Sequence, residues 1–246
     1  MSLFSALEKF DIICYIPLEF FNFLDLSITN FMVYVSFVLF IIFSFFLLNS
    51  YNSIIPTLNR VFFHTLSAFV FEQVEKQIGV KGFVYYPFFF LLFFFILICN
   101  LLGLVPFSFS PTAHMTLTFF LSLVIWCSAL SLGFLENGLG FVKFFLPDVP
   151  VFLLPMLFVI EIFSYLIRVF SLAIRLAANI TAGHVLLFTI AGFAAKLLEF
   201  NFFVFLLTLI ALVLIYLLEV GVAFLQAYVF VTLACIYFND SLNMSH

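Results

Sequence analysis

From Met156 to Ile236 the sequence contains no proline and, apart from a break at Lys196–Asn201 (KLLEFN), is almost wholly apolar. No other feature restricts the fold as much. A helix that crosses the hydrocarbon core of a bilayer needs about 20 apolar residues. A helix from Met156 to Leu197 would measure roughly 60 Å, at about 1.5 Å per residue. The two runs flanking the break are therefore expected to form two long helices joined by a tight turn near Phe200 or Asn201. Each must be tilted, bent or partly outside the bilayer. Barrel strands alternate with period two over about ten residues, and no stretch does so. With 67% hydrophobic residues, 8% charged and a mean hydropathy of +1.36, the chain reads as an all-α integral membrane protein.

Earlier segments fit the same class. Residues 1–30 are mixed in polarity and are expected at an interface. A first span covers residues 31–49 (FMVYVSFVLFIIFSFFLLN). Over residues 57–82, Phe63, Leu66, Val70, Val74 and Ile78 recur at helical spacing, opposite Arg60, His64, Ser67, Glu75 and Lys76. Glu72 and Lys76 form an i,i+4 pair. This pattern indicates an amphipathic helix on the membrane surface. A helical hairpin is expected over residues 84–135, its turn marked by Pro106 and Pro111. The long hairpin takes residues 151–239. Together these make a single membrane domain over residues 1–246, with about five membrane-inserted helices and one surface helix. Lys and Arg on the connections place the C-terminus on the inner side of the membrane.

Composition excludes several functions. Cys14, Cys99, Cys127 and Cys235 are far apart and read as packing residues. The four histidines are scattered, so neither a metal site nor a cofactor is expected. A net charge of -4 suggests no nucleic-acid partner. No P-loop is present, so no ATP site of the chain's own is expected. The first residues, MSLFSALEKFDII, resemble neither a secretory signal nor a transit peptide. The 43 phenylalanines hint at an AT-rich, organellar genome.

The polar residues of the long hairpin are few and ordered. Glu161, Arg168, Arg175 and Asn179 are spaced seven, seven and four apart, on one stripe of the first helix. His184, nine residues past Arg175, faces the other way. Thr208, Glu219 and Gln226 share a stripe on the second helix. Folding the helices antiparallel about the break sets Arg175 opposite Gln226, His184 opposite Glu219, and Glu161 opposite Asp240. One register thus brings each polar group to a polar neighbour. A membrane arginine can also snorkel to the headgroups, and Arg168, nearer the helix start, fits that role equally well. Arg175 lies deep in the longest helix, where a charge costs from about 3 to more than 10 kcal/mol. Acids and histidines within a membrane usually mark ion or proton paths. Ala177, Ala178, Ala182, Gly183, Gly221, Ala223 and Ala227 suit close helix approach.

Three segments carry a family resemblance: SLAIRLAANITAGH (Ser171 to His184), LEVGVAFLQAYVF (Leu218 to Phe230) and NLLGLVPFSFSPTAH (Asn100 to His114). In order and spacing they resemble the signature segments of subunit a of F-type ATP synthases, and ITAGH resembles the mitochondrial members most. The resemblance implies a proton-conducting stator subunit without a cofactor, in a mitochondrial inner membrane or, alternatively, a bacterial plasma membrane. It implies partners: a ring of rotor c subunits, a peripheral stalk, other membrane-sector subunits, the lipid bilayer and a second synthase in a dimer. Arg175 corresponds to the essential arginine facing the c-ring. Glu219 and His184 correspond to the half-channel open to the intermembrane space, and Asn179 and Gln226 to polar neighbours of the arginine. Glu161 and Asp240 correspond to acids of the matrix half-channel. Arg168 sits where some members carry an uncharged residue, and no role is assigned to it.

Two other functions fit hydrophobic helices with buried charges. A transporter acting alone would show two related halves, and none is visible. A haem or quinone subunit would want paired histidines at mid-helix depth, whereas His64 and His114 fall on the surface helix and a turn.

Overall fold

The computed structural model describes every residue except 1–10, 18, 21–23, 26, 51–57, 106–107, 139, 142–153, 198–201 and 244–246. Six α-helices are present among the described residues: α1 (Asn30–Ser50), α2 (Leu58–Ile78), α3 (Tyr86–Leu104), α4 (Met115–Asn137), α5 (Leu154–Leu197) and α6 (Phe202–Asn243). Among the described residues, five helical runs are long and apolar enough to cross a membrane, those of α1, α3, α4, α5 and α6. The chain is a multi-pass helical membrane protein. Helix is the required form, because lipid offers no partner to an unpaired backbone N–H or C=O.

Helix ends follow local chemistry. The Thr29 hydroxyl accepts from Met32 N at 3.4 Å, and Asn30 Oδ1 accepts from Phe31 N at 2.8 Å, at the start of α1. Gly79, at φ 80°, ends α2 at Ile78 rather than near residue 82. A β-carbon would be strained in that backbone conformation. The run Val80–Tyr85 is a tight 3₁₀ turn that continues into α3. Gly138, at φ 55°, follows the last residue of α4, a position that favours glycine. Pro155 falls in the first turn of α5, where its missing N–H would have no helical partner anyway. The expected turn at Phe200 or Asn201 lies outside the described residues; α5 stops at Leu197 and α6 starts at Phe202.

Contacts group the chain into two compact units. The first comprises residues 1–48, 95–114 and 176–227. Its apolar centre packs Val38 and Ile42 of α1 on Cys99 of α3, with Phe95, Ile98 and Leu102 around them. Four short strands precede α1: β1 (Cys14–Ile16), β2 (Glu19–Phe20), β3 (Leu24–Asp25) and β4 (Ile28–Thr29). β1 pairs antiparallel with β4 and β2 with β3. Asn30 ties this segment down, because its Oδ1 accepts from Ile13 N and its Nδ2 donates to Asp11 O. The sequence shows no period here, and the strands are a difference from the interfacial segment expected.

The second unit comprises residues 49–94, 115–175 and 228–246. Val70, Val74 and Ile78 of α2 are buried, while Glu72, Glu75 and Lys76 are exposed, as the helical stripe requires. Phe62 and Phe71 are exposed as well, so apolar surface on α2 is not confined to the buried face. The end of α6 is held by polar contacts: Asn137 Nδ2 donates to Ser241 O at 2.9 Å, Lys81 Nζ to Leu242 O at 3.3 Å and Asn243 Nδ2 to Ile78 O at 3.2 Å. Phe238 stacks with Phe88 and meets Tyr85 and Phe89 edge-on.

Candidate functional site: charged and polar groups of the long helices

In the second unit, α5 presents Ser164, Ile167, Arg168, Ser171 and Arg175, and α6 presents Val229, Thr232 and Leu233, around an open recess of about 400 Å³. Arg175 is exposed, and its Nη2 donates a long hydrogen bond of 3.5 Å to Ser171 Oγ, one turn back. A guanidinium cannot be neutralised at an accessible pH, so openness to polar surroundings lowers the penalty of placing it on an apolar helix. Arg168 Nη1 lies 3.8 Å from Asp240 Oδ2, with the side chains 41% and 19% exposed. That separation is an ion pair, not a short bidentate clamp. Glu161 is half-buried on the same helix.

The antiparallel register set Glu161 opposite Asp240; the structure gives Asp240 an ion pair with Arg168. The sequence left Arg168 without a role, although it lies on the same stripe seven residues before Arg175. That spacing was the available signal.

In the first unit, Asn179 Nδ2 donates to Gln226 Oε1 at 2.9 Å, with Gln226 buried. Gln226 was expected opposite Arg175, and its bonded partner is one helical turn further along α5. Helical side chains lean toward the N-terminus of their own helix, so residues of α6 reach toward the turn. Gln226 and Asp240 both meet α5 residues nearer the turn than simple index matching nominates.

Further along, Glu219 of α6 lies against Gly183. A β-carbon built on Gly183 would fall 2.7 Å from Glu219 Oε1 and 2.9 Å from Oε2. The bare glycine is what admits the carboxylate at that depth. His184, the next residue, is 4% exposed. Its Nε2 also approaches Gly103 of α3, since a β-carbon there would lie 3.9 Å from it and 2.9 Å from Ser110 Cβ. Asn100, fully buried, donates Nδ2 to Ala223 O of α6 at 3.4 Å. Gly183 was among the small residues expected to allow close approach, whereas Gly103 and Asn100 were not singled out individually by the sequence. Among the described residues no cluster of His, Cys, Asp or Glu could hold a metal ion.

Fold and site together define a class: a multi-pass helical membrane protein with ionisable and amide side chains carried on its two longest spanning helices. The chain belongs to the ATP synthase A chain family, whose model matches residues 30–239. It is 40% identical over 233 residues to an ATP synthase subunit a of Pelagibacter ubique (strain HTCC1062), covering 91% of each chain. It is 38% identical over 245 residues to an ATP synthase subunit a of Chondrus crispus, covering 98% of this chain and 96% of the relative. A solitary transporter and a haem or quinone subunit are set aside by this membership.

Proposed function

We propose that the chain is the proton-conducting stator subunit of an F-type ATP synthase. In this reading two offset aqueous half-channels deliver protons to and from carboxyl groups on a rotor ring of c subunits. Arg175 separates the half-channels. Family membership supports the general role, and the feature that carries the detailed reading is Arg175, a permanent cation opening on a recess of a largely apolar spanning helix.

The chemistry follows from solvation. A rotor carboxyl crosses lipid readily when protonated, and at great cost when ionised. Arg175 interacts with the ionised form and so favours proton release beside it. Its positive charge repels a proton that would pass directly between the half-channels. A proton crossing the membrane releases about 2.3 kcal/mol per 100 mV, and closing the direct route leaves rotation as its outlet.

Glu219 and His184 are assigned to the half-channel that opens on the outer side, since an imidazole can both accept and donate a proton. Glu161 and Asp240 are assigned to the half-channel on the inner side. Asn179 and Gln226, bonded to each other, give a polar but uncharged surround for the arginine's end of the path. The chain contributes no ATP site of its own; catalysis of ATP formation falls to soluble subunits, reached through the ring and a peripheral stalk. Dimer formation with a second synthase, and residence in a mitochondrial inner membrane, extend the same reading. The Pelagibacter relative fits a bacterial plasma membrane equally well.

Gentle detergent purification and reconstitution tests the proposal. The chain must co-purify with a ring of carboxyl-bearing rotor subunits, and liposomes holding the complex must pump protons when ATP is added. An autonomous oligomer that conducts without a ring contradicts it.

A further inference from the structure

The last turn of α6 is bonded to three other elements of the second unit. The final four carbonyls of any helix lack a partner within the helix. In α6, two of them belong to the buried residues Ser241 and Leu242, 1% and 5% exposed, so water has little access. Asn137, the last residue of α4, donates Nδ2 to Ser241 O at 2.9 Å. Lys81, in the 3₁₀ turn before α3, donates Nζ to Leu242 O at 3.3 Å. A cation suits this place, because the carbonyls at a helix C-terminus carry partial negative charge. Asn243 completes the joint in the other direction. Its Nδ2 donates to Ile78 O, itself the terminal carbonyl of α2 before the chain turns at Gly79.

These bonds do what the aromatic contacts nearby cannot. Phe238 packs against Tyr85, Phe88 and Phe89, but apolar contact is non-directional and tolerates a small slide or rotation of the helix. Hydrogen bonds are directional, and donors on two successive carbonyls fix both the height and the rotation of the last turn. Asp240 immediately precedes the capped pair. Its side chain is short, so its carboxylate goes where the backbone carries it. It lies 3.8 Å from Arg168 Nη1, near the outer limit of an ion pair, and a small shift of the last turn separates the two.

We infer that Asn137 and Lys81 are positioning residues for proton transfer: by capping α6 they hold the Asp240 carboxylate beside Arg168, on the charged stripe of α5. This rests on the reading of Asp240 as an acid of the half-channel on the inner side. Neither side chain passes a proton in this role; both act through the backbone of α6.

The test uses the intact synthase in liposomes. Asn137→Leu and Lys81→Met remove the donors and keep the bulk. Together they are expected to lower ATP-driven proton pumping about threefold while the ring still co-purifies, more than loss of the Arg168 cation alone, because the acid itself moves. Lys81→Arg keeps a donor of similar reach and, with Asn137 intact, is expected to pump near the wild-type rate. Lys76→Met is the control, since that lysine pairs with Glu72 on the exposed face of α2. Position is read separately, in a background with the four native cysteines replaced, as the rate at which a water-soluble maleimide labels Asp240→Cys. Removing both caps should change that rate about threefold and leave Thr232→Cys, about two turns earlier on α6, unaltered. Undiminished pumping in the double variant, or unchanged labelling at position 240, overturns the inference. An equal change at positions 232 and 240 also overturns it, because the caps would then support the whole helix and not its end. Should Asp240→Asn itself pump at the wild-type rate, the reading of Asp240 as a proton-path acid fails, whatever the labelling shows.

Discussion

The stretch of α5 around Arg168 and Arg175 opens on a recess of about 400 Å³, whereas His184, further along the same helix, is enclosed, the residue being 4% exposed. The first carries guanidiniums, which stay charged at every accessible pH. The second carries an imidazole and, packed on the glycine before it, a carboxylate of α6, both of which can become neutral. A permanent charge taken fully out of water costs several kcal/mol or more, so the helix leaves it reachable. A titratable group can be enclosed because its neutral form tolerates burial. Along α5 the two guanidiniums thus stay reachable while the imidazole is enclosed.

Arg175 aside, breaking the enclosed region should have the larger consequence. Glu219→Gln keeps the shape and removes the titration, and proton uptake into the rotor should fall at least tenfold, read as ATP-driven acidification of liposomes. An unchanged rate at low external pH contradicts the assignment. Gly183→Ala should act through the same carboxylate, because its new methyl would overlap Glu219 and push it aside. A loss of severalfold in proton conductance, with the ring still bound, is expected. Wild-type conductance would show that the carboxylate's position is not critical.

In the open region, the ion pair beside Arg175 should be more forgiving. Arg168→Gln breaks the ion pair to Asp240. Because the arginine is 41% exposed, solvent screens the charge that remains, and pairs of this kind are worth about 0–1 kcal/mol. About a twofold change in ATP synthesis rate is expected, since the acid loses its cation. A total loss would place Arg168 beside Arg175 in importance.

Two smaller effects calibrate the comparison. Burial holds the His114 imidazole below its ordinary value. The fold therefore favours the neutral ring, and its contribution to stability is present above the unfolded value, about 6.5. That contribution is lost as pH falls from there toward the lowered folded value. The Tm of the wild-type complex should drop over that window by a little more than that of His114→Gln, and identical pH profiles would contradict the burial argument. Smallest of all, Glu72→Gln removes the partner of Lys76 on the exposed face of α2, 2.7 Å away. Neither assembly nor proton pumping should change, and a measurable defect would mark that face as a docking site.

Much of this was legible in the residues. The proline-free apolar run and its break at KLLEFN mark the ends of α5 and α6, because a charged pair and an asparagine interrupt an otherwise lipid-compatible sequence. The stripe of Glu161, Arg168, Arg175 and Asn179 follows from helical spacing alone. The partner of each group was less legible. Index matching ignores the lean of side chains along a helix, and it displaced Gln226 and Asp240 by about a turn or more. The short strands before α1 left no trace in the sequence, since two- and three-residue ladders have no period to read. Nor does a serine reveal whether its hydroxyl will bond to its own helix, as Ser122 does, or stand without a protein partner, as Ser110 does. That depends on the backbone around it.

The central claim is that the charge of Arg175 couples proton flow to the rotor. Replacing it by alanine in the complete synthase, and measuring ATP-driven proton pumping beside passive proton leak in the same liposomes, tests this directly. The account predicts that pumping disappears while the complex still assembles with its ring. Pumping that persists at the wild-type rate would contradict it.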